Sequence, residues 1–195
     1  MSMSHLVSRR TLGALLFVAS ACTAFASPSW AQKVKLNTSM GDIVLELDAE
    51  KAPKTVANFV QYVKAGHYNG VVFHRVIDGF MIQTGGYDKN LAEKPTRNAI
   101  ALESGNGLSN TRGTIAMART NVPESARAQF YINVNDNLSL DKEQARDGNG
   151  YAVFGRVISG MEVVDQIKAV ETTQRSVFQN LPVKTILIVK ATLEP

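Results

Sequence analysis

Short runs of alternating apolar and polar residues dominate this chain, and they leave room for only two helices. Ile43, Leu45 and Leu47 alternate with Val44, Glu46 and Asp48, the period of a half-buried strand. Similar strand-like runs cover Val34–Thr38, Val71–Ile77, Phe80–Thr84, Thr114–Ala118, Gln129–Val134, Tyr151–Ile158 and Lys184–Leu193. Two stripes follow the helical period instead. Val56, Phe59, Val60 and Val63 predict an amphipathic helix over about 52–65, with Pro53 in its first turn and Gly66 as its stop. Val163, Val164, Ile167 and Val170 predict a second. About eight strands and two separate helices suggest a mainly β chain, a closed eight-stranded antiparallel β-barrel capped by two α-helices. Bulky Ile43, Leu45, Phe154 and Ile188 at inward-type positions argue for a filled barrel and against a hollow small-ligand carrier.

The first 31 residues carry no Asp or Glu. Arg9 and Arg10 precede an apolar stretch from Leu12 to about Ala21, and small residues follow up to Ser29-Trp30-Ala31. That order predicts a secretory signal peptide over 1–31, cleaved after Ala31, with Ala26 as the alternative, and a periplasmic mature chain. The apolar run is shorter than the ~20 residues of a membrane span. Ser8-Arg9-Arg10 is a weak match to a twin-arginine signal, and Ala19-Ser20-Ala21-Cys22 a weaker one to a lipoprotein box. The remaining 164 residues, 32–195, form one domain with a net charge of +2. Their Lys and Arg are scattered, which gives no nucleic-acid groove. The single cysteine, Cys22, lies in the leader, so the mature chain has no disulfide and no thiol chemistry.

Conventional catalytic groups are scarce. The mature chain has two histidines, His67 and His74, and no metal-ligand spacing. No nucleophile elbow and no phosphate loop appears, so neither metal nor cofactor is expected. His74 reads as a hydrogen-bonded structural residue. The sequons at Asn37 and Asn137 read as chance matches in a bacterial-looking chain. Arg75 stands out. It sits in FHRVIDGFMIQTGG, residues 73–86, among Phe73, Val76, Ile77, Phe80, Met81 and Ile82. A guanidinium is costly to bury unpaired. Arg75 either snorkels or pairs with Asp78, or else it presents a cation beside an apolar pocket to an uncharged polar substrate. Asp78-Gly79 signals a hairpin. A strict two-residue turn sets Arg75 opposite Ile82. Placing Met81 and Gln83 on the arginine's face needs a longer connection or a bulge.

The run APKTVANFVQYVKAGHYNGVVFHRVIDGFMIQTGG, residues 52–86, resembles a cyclophilin, a peptidyl-prolyl cis-trans isomerase. The resemblance continues through GTIAMAR (113–119), AQFYINV (128–134), LD (140–141) and YAVFGRVISGMEVVDQI (151–167), and is closest to periplasmic bacterial members. It implies the eight-stranded barrel with two capping helices. It also implies catalysis by Arg75 and proline binding by Phe80 and Met81. Gln83 would hold the substrate backbone, and Ala118 and Arg119 would line the groove with main-chain groups. Gln129, Tyr131, Leu140 and Tyr151 complete the rim and pocket. Proline-containing segments of unfolded or exported proteins are the implied partners, and the chain is expected to be a monomer. A non-catalytic, chaperone-like binder is the alternative.

The chain departs from the family pattern at several positions. Tyr131 stands where Phe is usual, and Arg119 where many members have Asn. Tyr151 replaces a common His, and Ala128 a frequent Ser. Ser139 stands where an aromatic often contacts cyclosporin, so cyclosporin binding is expected to be weak.

Overall fold

The structure, a computed structural model, describes Met1 and residues 32–195; the predicted leader lies outside the described residues apart from Met1. The chain runs β1 (Gln32–Thr38), β2 (Gly41–Leu47), α1 (Pro53–Lys64), β3 (Val71–Val72), β4 (Arg75–Ile77), β5 (Met81–Thr84), β6 (Thr114–Met117), β7 (Phe130–Asn133), a 3-10 turn (Leu138–Leu140), β8 (Val153–Ser159), α2 (Met161–Lys168), β9 (Thr172–Arg175), β10 (Phe178–Pro182) and β11 (Leu187–Glu194). Nine strands form one curled antiparallel sheet in the order β3-β11-β1-β2-β8-β6-β7-β5-β4.

The count is nine rather than eight because the expected strand Val71–Ile77 is divided. Its first part pairs with β11 at one end of the sheet, and its second with β5 at the other. The two end strands are thus consecutive in the chain, joined only by Phe73-His74. At this junction the Phe73 amide donates to the Ile186 carbonyl and the His74 amide to Gln83. The backbone switches partners there. The β9–β10 hairpin forms a separate two-stranded sheet that the sequence pattern did not reveal.

Alternation builds the core. Val34, Leu36, Ile43, Leu45, Phe154 and Ile188 point inward and are fully buried. The helical stripe of α1 closes over them. Phe59 packs against Tyr68, Phe130 and Phe154 with ring centroids 5.1–5.2 Å apart. The N-terminus of α1 takes its cap from far away in sequence. The Glu103 carboxylate accepts from the Lys54 and Thr55 amides at 3.1 and 2.8 Å and from the Thr55 hydroxyl at 2.7 Å. A carboxylate there satisfies unpaired donors and complements the helix dipole. At the other end Gly66 takes φ +67° and its amide bonds the Val63 carbonyl, which stops the helix. Among the described residues no helix is long and apolar enough to cross a membrane.

Gly160 caps the start of α2 with φ +86°, and a Cβ there would lie 2.1 Å from the Asp42 carbonyl oxygen. Gly160→Ala is expected to destabilise the domain by about 2 kcal/mol, from the left-handed backbone and the forced shift of β2. Denaturant unfolding measures this, and a loss below about 0.5 kcal/mol would contradict the close packing.

Candidate active site

The hairpin carrying Arg75 decides which face each residue occupies. Arg75 pairs with Gln83, Val76 with Ile82 and Ile77 with Met81, so the connection is Asp78-Gly79-Phe80. Gly79 takes φ +73°, and the Phe80 amide donates to the Ile77 carbonyl at 3.1 Å. This is the longer connection that the sequence left open, and a glycine in the left-handed region is what such loops use. The extra residue places Arg75, Met81 and Gln83 on one face.

The row continues across the sheet, because directly paired residues share a face. Gln83 pairs with Tyr131, Tyr131 with Ala116 and Ala116 with Val153. A register shift between Ile115 and Ala116 keeps Val153 in this row. The alternate row, Val76, Ile82, Ile132 and Ile115, points into the main core and is buried throughout. The barrel therefore presents one outer stripe that starts with a cation and amide and becomes apolar.

Met81, Ala116, Tyr131 and Val153 form a second apolar cluster, separate from the main core. Ile77, Phe80, Leu108, Ala118, Leu140 and Tyr151 pack against it and stay partly exposed. Six of the residues singled out by resemblance thus come together: Phe80, Met81, Ala118, Tyr131, Leu140 and Tyr151. An apolar surface with a half-open rim fits a small ring.

Arg75 is half-buried at the edge of this surface. Its Cζ lies 5.9 Å from the Phe80 ring centroid. Its Nη1 donates to Gln83 Oε1 over a long 3.5 Å, and Gln83 Nε2 donates to Gln129 Oε1 at 2.9 Å. Arg75 makes no ion pair among the described residues. Asp78, the alternative partner, instead lies 3.6 Å from Lys168 Nζ and accepts from the Gly79 amide. Most of the five guanidinium donors therefore remain available to a ligand.

Arg119 is placed differently from the rest. Its side chain is only 2% exposed, paired with Asp147 and stacked on Tyr151 with Cζ 4.5 Å from the ring centroid. Any role in lining the groove falls to its main chain. Ala118 lies at the end of β6, its amide bonded to the Gln129 carbonyl. Ser139 is exposed.

A buried polar network beneath the apolar cluster escaped the sequence reading. The Tyr131 hydroxyl donates to Asn110 Oδ1 at 2.8 Å. Burial pushes this phenol well above its ordinary pKa, so it is a neutral donor. The Asn110 amide and side-chain Nδ2 both donate to Asp141 Oδ1, at 2.7 and 2.9 Å. Asn133 Nδ2 reaches Asn110 Oδ1 and Thr114 Oγ1. Asn137 Nδ2 bonds Asn133 Oδ1 and the Phe80 carbonyl, both at 2.7 Å. The network thus holds Tyr131, Phe80 and the segment bearing Leu140 from behind. Asparagines in turn-rich segments carry no signature of burial, which is why the pattern hid them.

His74 is buried, and its Nδ1 stands apart from the network. That buried atom has no partner among the described residues. The ring packs on Tyr87 at 4.8 Å and Phe178 at 6.3 Å. Burial, ahead of the nearby Arg75 charge, lowers its pKa to about 4. The unfolded chain binds this proton near pH 6.5, while the folded one refuses it down to about 4. Stability from this site is full above pH 6.5 and lost as pH falls towards 4, roughly 3 kcal/mol in all. His67, lowered by its own burial, adds the same sign. Unfolding measured at pH 7 and pH 5 should show this slope, and His74→Gln should flatten most of it; an unchanged slope would contradict the assignment.

The family described as "Cyclophilin type peptidyl-prolyl cis-trans isomerase/CLD" matches residues 33–193. Peptidyl-prolyl cis-trans isomerase A of Dickeya dadantii (strain 3937) is 51% identical over 189 residues, covering 95% of this chain and 97% of that protein. Peptidyl-prolyl cis-trans isomerase B of Escherichia coli (strain K12) is 48% identical over 161 residues, covering 82% of this chain and 98% of that protein. A crystal structure of a Cryptosporidium parvum cyclophilin superposes with a TM-score of 0.71 at 24% identity, over 85% of this chain and 99% of that one, a likeness of fold. With a match that runs from β1 to β11, this chain belongs to the cyclophilin-type peptidyl-prolyl cis-trans isomerases.

Proposed function

We propose that Arg75 drives isomerisation of Xaa-Pro bonds by favouring the twisted amide, and that the clients are unfolded or exported proteins. The observation that carries this reading is the position of Arg75. It stands without an ion pair among the described residues, at the edge of an apolar surface and beside the Gln83–Gln129 amides.

The chemistry needs little else. Conjugation of the nitrogen lone pair with the carbonyl raises a rotation barrier of ~18–20 kcal/mol. Before proline the two planar isomers differ by only about 0.5–1 kcal/mol, so the difficulty is kinetic. Halfway through rotation conjugation is lost, and the nitrogen becomes pyramidal and regains a basic lone pair. A guanidinium aimed at that nitrogen binds the twisted form better than either planar one, and only such a difference lowers a barrier. The apolar surround strengthens the bond by excluding water. Phe80, Met81, Tyr131 and Leu140 would grip the proline ring. Gln83, Gln129 and main-chain groups near Ala118 and Arg119 would hold the preceding residue, with Tyr151 at the rim. One bond then turns between two anchored ends. No proton transfer is required of His74.

The leader supports an exported, periplasmic chain acting as a monomer on proline-containing segments. Exposed Ser139 supports weak cyclosporin binding. Two measurements test the proposal. Fractionation of bacteria producing the full chain should yield a periplasmic form whose mass begins at Gln32, or at Ser27 if cleavage follows Ala26; an uncleaved cytoplasmic chain would overturn the export reading. An Ala-Pro peptide mixed with that form should exchange isomers faster than alone. Peptide binding without faster exchange would favour the chaperone-like binder.

A further inference from the structure

The loop from Leu140 to Tyr151 is pinned at both ends, and Arg119 is the pin nearest the apolar surface. The ends meet directly, since the Tyr151 amide donates to the Leu140 carbonyl at 2.9 Å. Arg119 reaches across from the end of β6, and all three of its guanidinium nitrogens bond this loop or its own segment. Nε donates to the Gly150 carbonyl at 2.8 Å and Nη1 to the Thr120 carbonyl at 3.0 Å, while Nη2 pairs with Asp147. Asp147 in turn accepts from the Asn149 and Gly150 amides, at 3.0 and 3.3 Å, and so shapes the turn that precedes Tyr151. These amides and the Arg119 guanidinium hold the Asp147 carboxyl well below the usual range, at about 2.

The guanidinium Cζ lies over the Tyr151 ring, 4.5 Å from its centroid. The same ring meets Tyr131 edge-on, with centroids 6.0 Å apart. Tyr151 therefore contacts both a buried cation and a wall of the apolar cluster. Stacking on a planar cation fixes ring orientation as well as position. A lysine offers a point charge and cannot fork to three acceptors. The same contact joins two positions at which this chain departs from the family pattern described above.

We propose that Arg119 is a positioning residue: it acts through Tyr151, holding that ring as the rim of the proline-binding surface and so setting peptide affinity rather than the rate of rotation. This rests on the proposed isomerase site. The Arg119 side chain is only 2% exposed and turned into the protein, so its loss removes no contact specific to the twisted amide. Such a loss raises KM and spares kcat.

A double-mutant cycle tests it. Arg119→Gln should raise KM for an Xaa-Pro peptide by about fivefold with kcat within about twofold, and Tyr151→Leu should do the same. In the Tyr151→Leu background, adding Arg119→Gln should change KM by less than about 1.5-fold, because the arginine has lost what it positions. Arg119→Lys should not restore KM. Multiplicative effects of the two substitutions, or a fall in kcat at constant KM, would overturn the proposal. If Arg119→Gln does not fold, Asp147→Asn at the exposed end of the latch is read instead. A rise in KM of about twofold or more supports the brace, and an unchanged KM overturns it. Wild-type protein that fails to accelerate exchange would sink the site reading itself, whereas an active wild type with an uncoupled cycle would sink only the role of Arg119.

Discussion

Arg75→Ala lowers isomerase turnover by at least ~10-fold, about 1.4 kcal/mol of lost transition-state stabilisation, while the domain stays folded. The structure explains both halves of this expectation. Arg75 sits at the mouth of the apolar surface, half-buried, with one long hydrogen bond to Gln83 as its only side-chain bond among the described residues. Its removal breaks no ion pair and leaves no buried carboxylate behind. The main core is formed by the opposite face of the same strands. A thermal shift beyond a few degrees would mean that the guanidinium has a structural task. Arg75→Lys should recover little, because a point charge cannot match the planar fork at both nitrogen and carbonyl. A protease-coupled assay on an Ala-Pro peptide, with melting measured in parallel, checks the pair of outcomes.

Asn110→Ala should cost about 3 kcal/mol of stability. Three buried groups lose a partner at once: the Tyr131 hydroxyl, the Asn133 amide and the Asp141 carboxylate. The Tyr131 hydroxyl is left without its partner and costs most, whereas Asp141 keeps the backbone amide of residue 110 and Asn133 keeps Thr114 Oγ1. Tyr131→Phe removes only the hydroxyl and should cost about 1 kcal/mol. That contrast separates the network from the ring. Because the network also carries the Phe80 carbonyl through Asn137, surviving Asn110→Ala protein should bind peptide more weakly. Denaturant unfolding of both variants gives the comparison; a loss below about 1 kcal/mol for Asn110→Ala would show that water replaces the asparagine.

The fold was legible because its signal is local. Ile43, Leu45 and Leu47 alternate, the α1 stripe repeats every three to four residues, and both patterns appear in the structure. What the pattern missed depends on partners. Whether Gln83 joins Arg75 turns on one extra loop residue at Phe80, which periodicity on either side cannot register. The break at Phe73-His74 separates pairing with β11 from pairing with β5, strands far apart in sequence. The β9–β10 hairpin, TTQR and FQNLP, carries too few apolar residues to announce itself. The Glu103 cap lies 48 residues from Thr55 and has no local signature.

The candidate site was legible through resemblance more than composition. Arg75, Met81, Gln83 and Tyr131 share one outer stripe, and Phe80 and Tyr151 pack against its apolar end. Side chains in that stripe do not reveal what holds them. Asn110 and Asp141 carry no local sign of the network they build. Arg119 read as a groove position, whereas its guanidinium points into the loop behind Tyr151.

The central claim concerns a difference between two states of one bond, so the decisive measurement separates them. Exchange spectroscopy on an Xaa-Pro peptide gives the cis–trans rate on the enzyme and the peptide affinity from one titration. For Arg75→Ala against wild type, the on-enzyme rate should fall by at least ~10-fold while Kd changes by less than about threefold. An unchanged on-enzyme rate, or a rate that falls only in step with affinity, would contradict preferential binding of the twisted amide by Arg75.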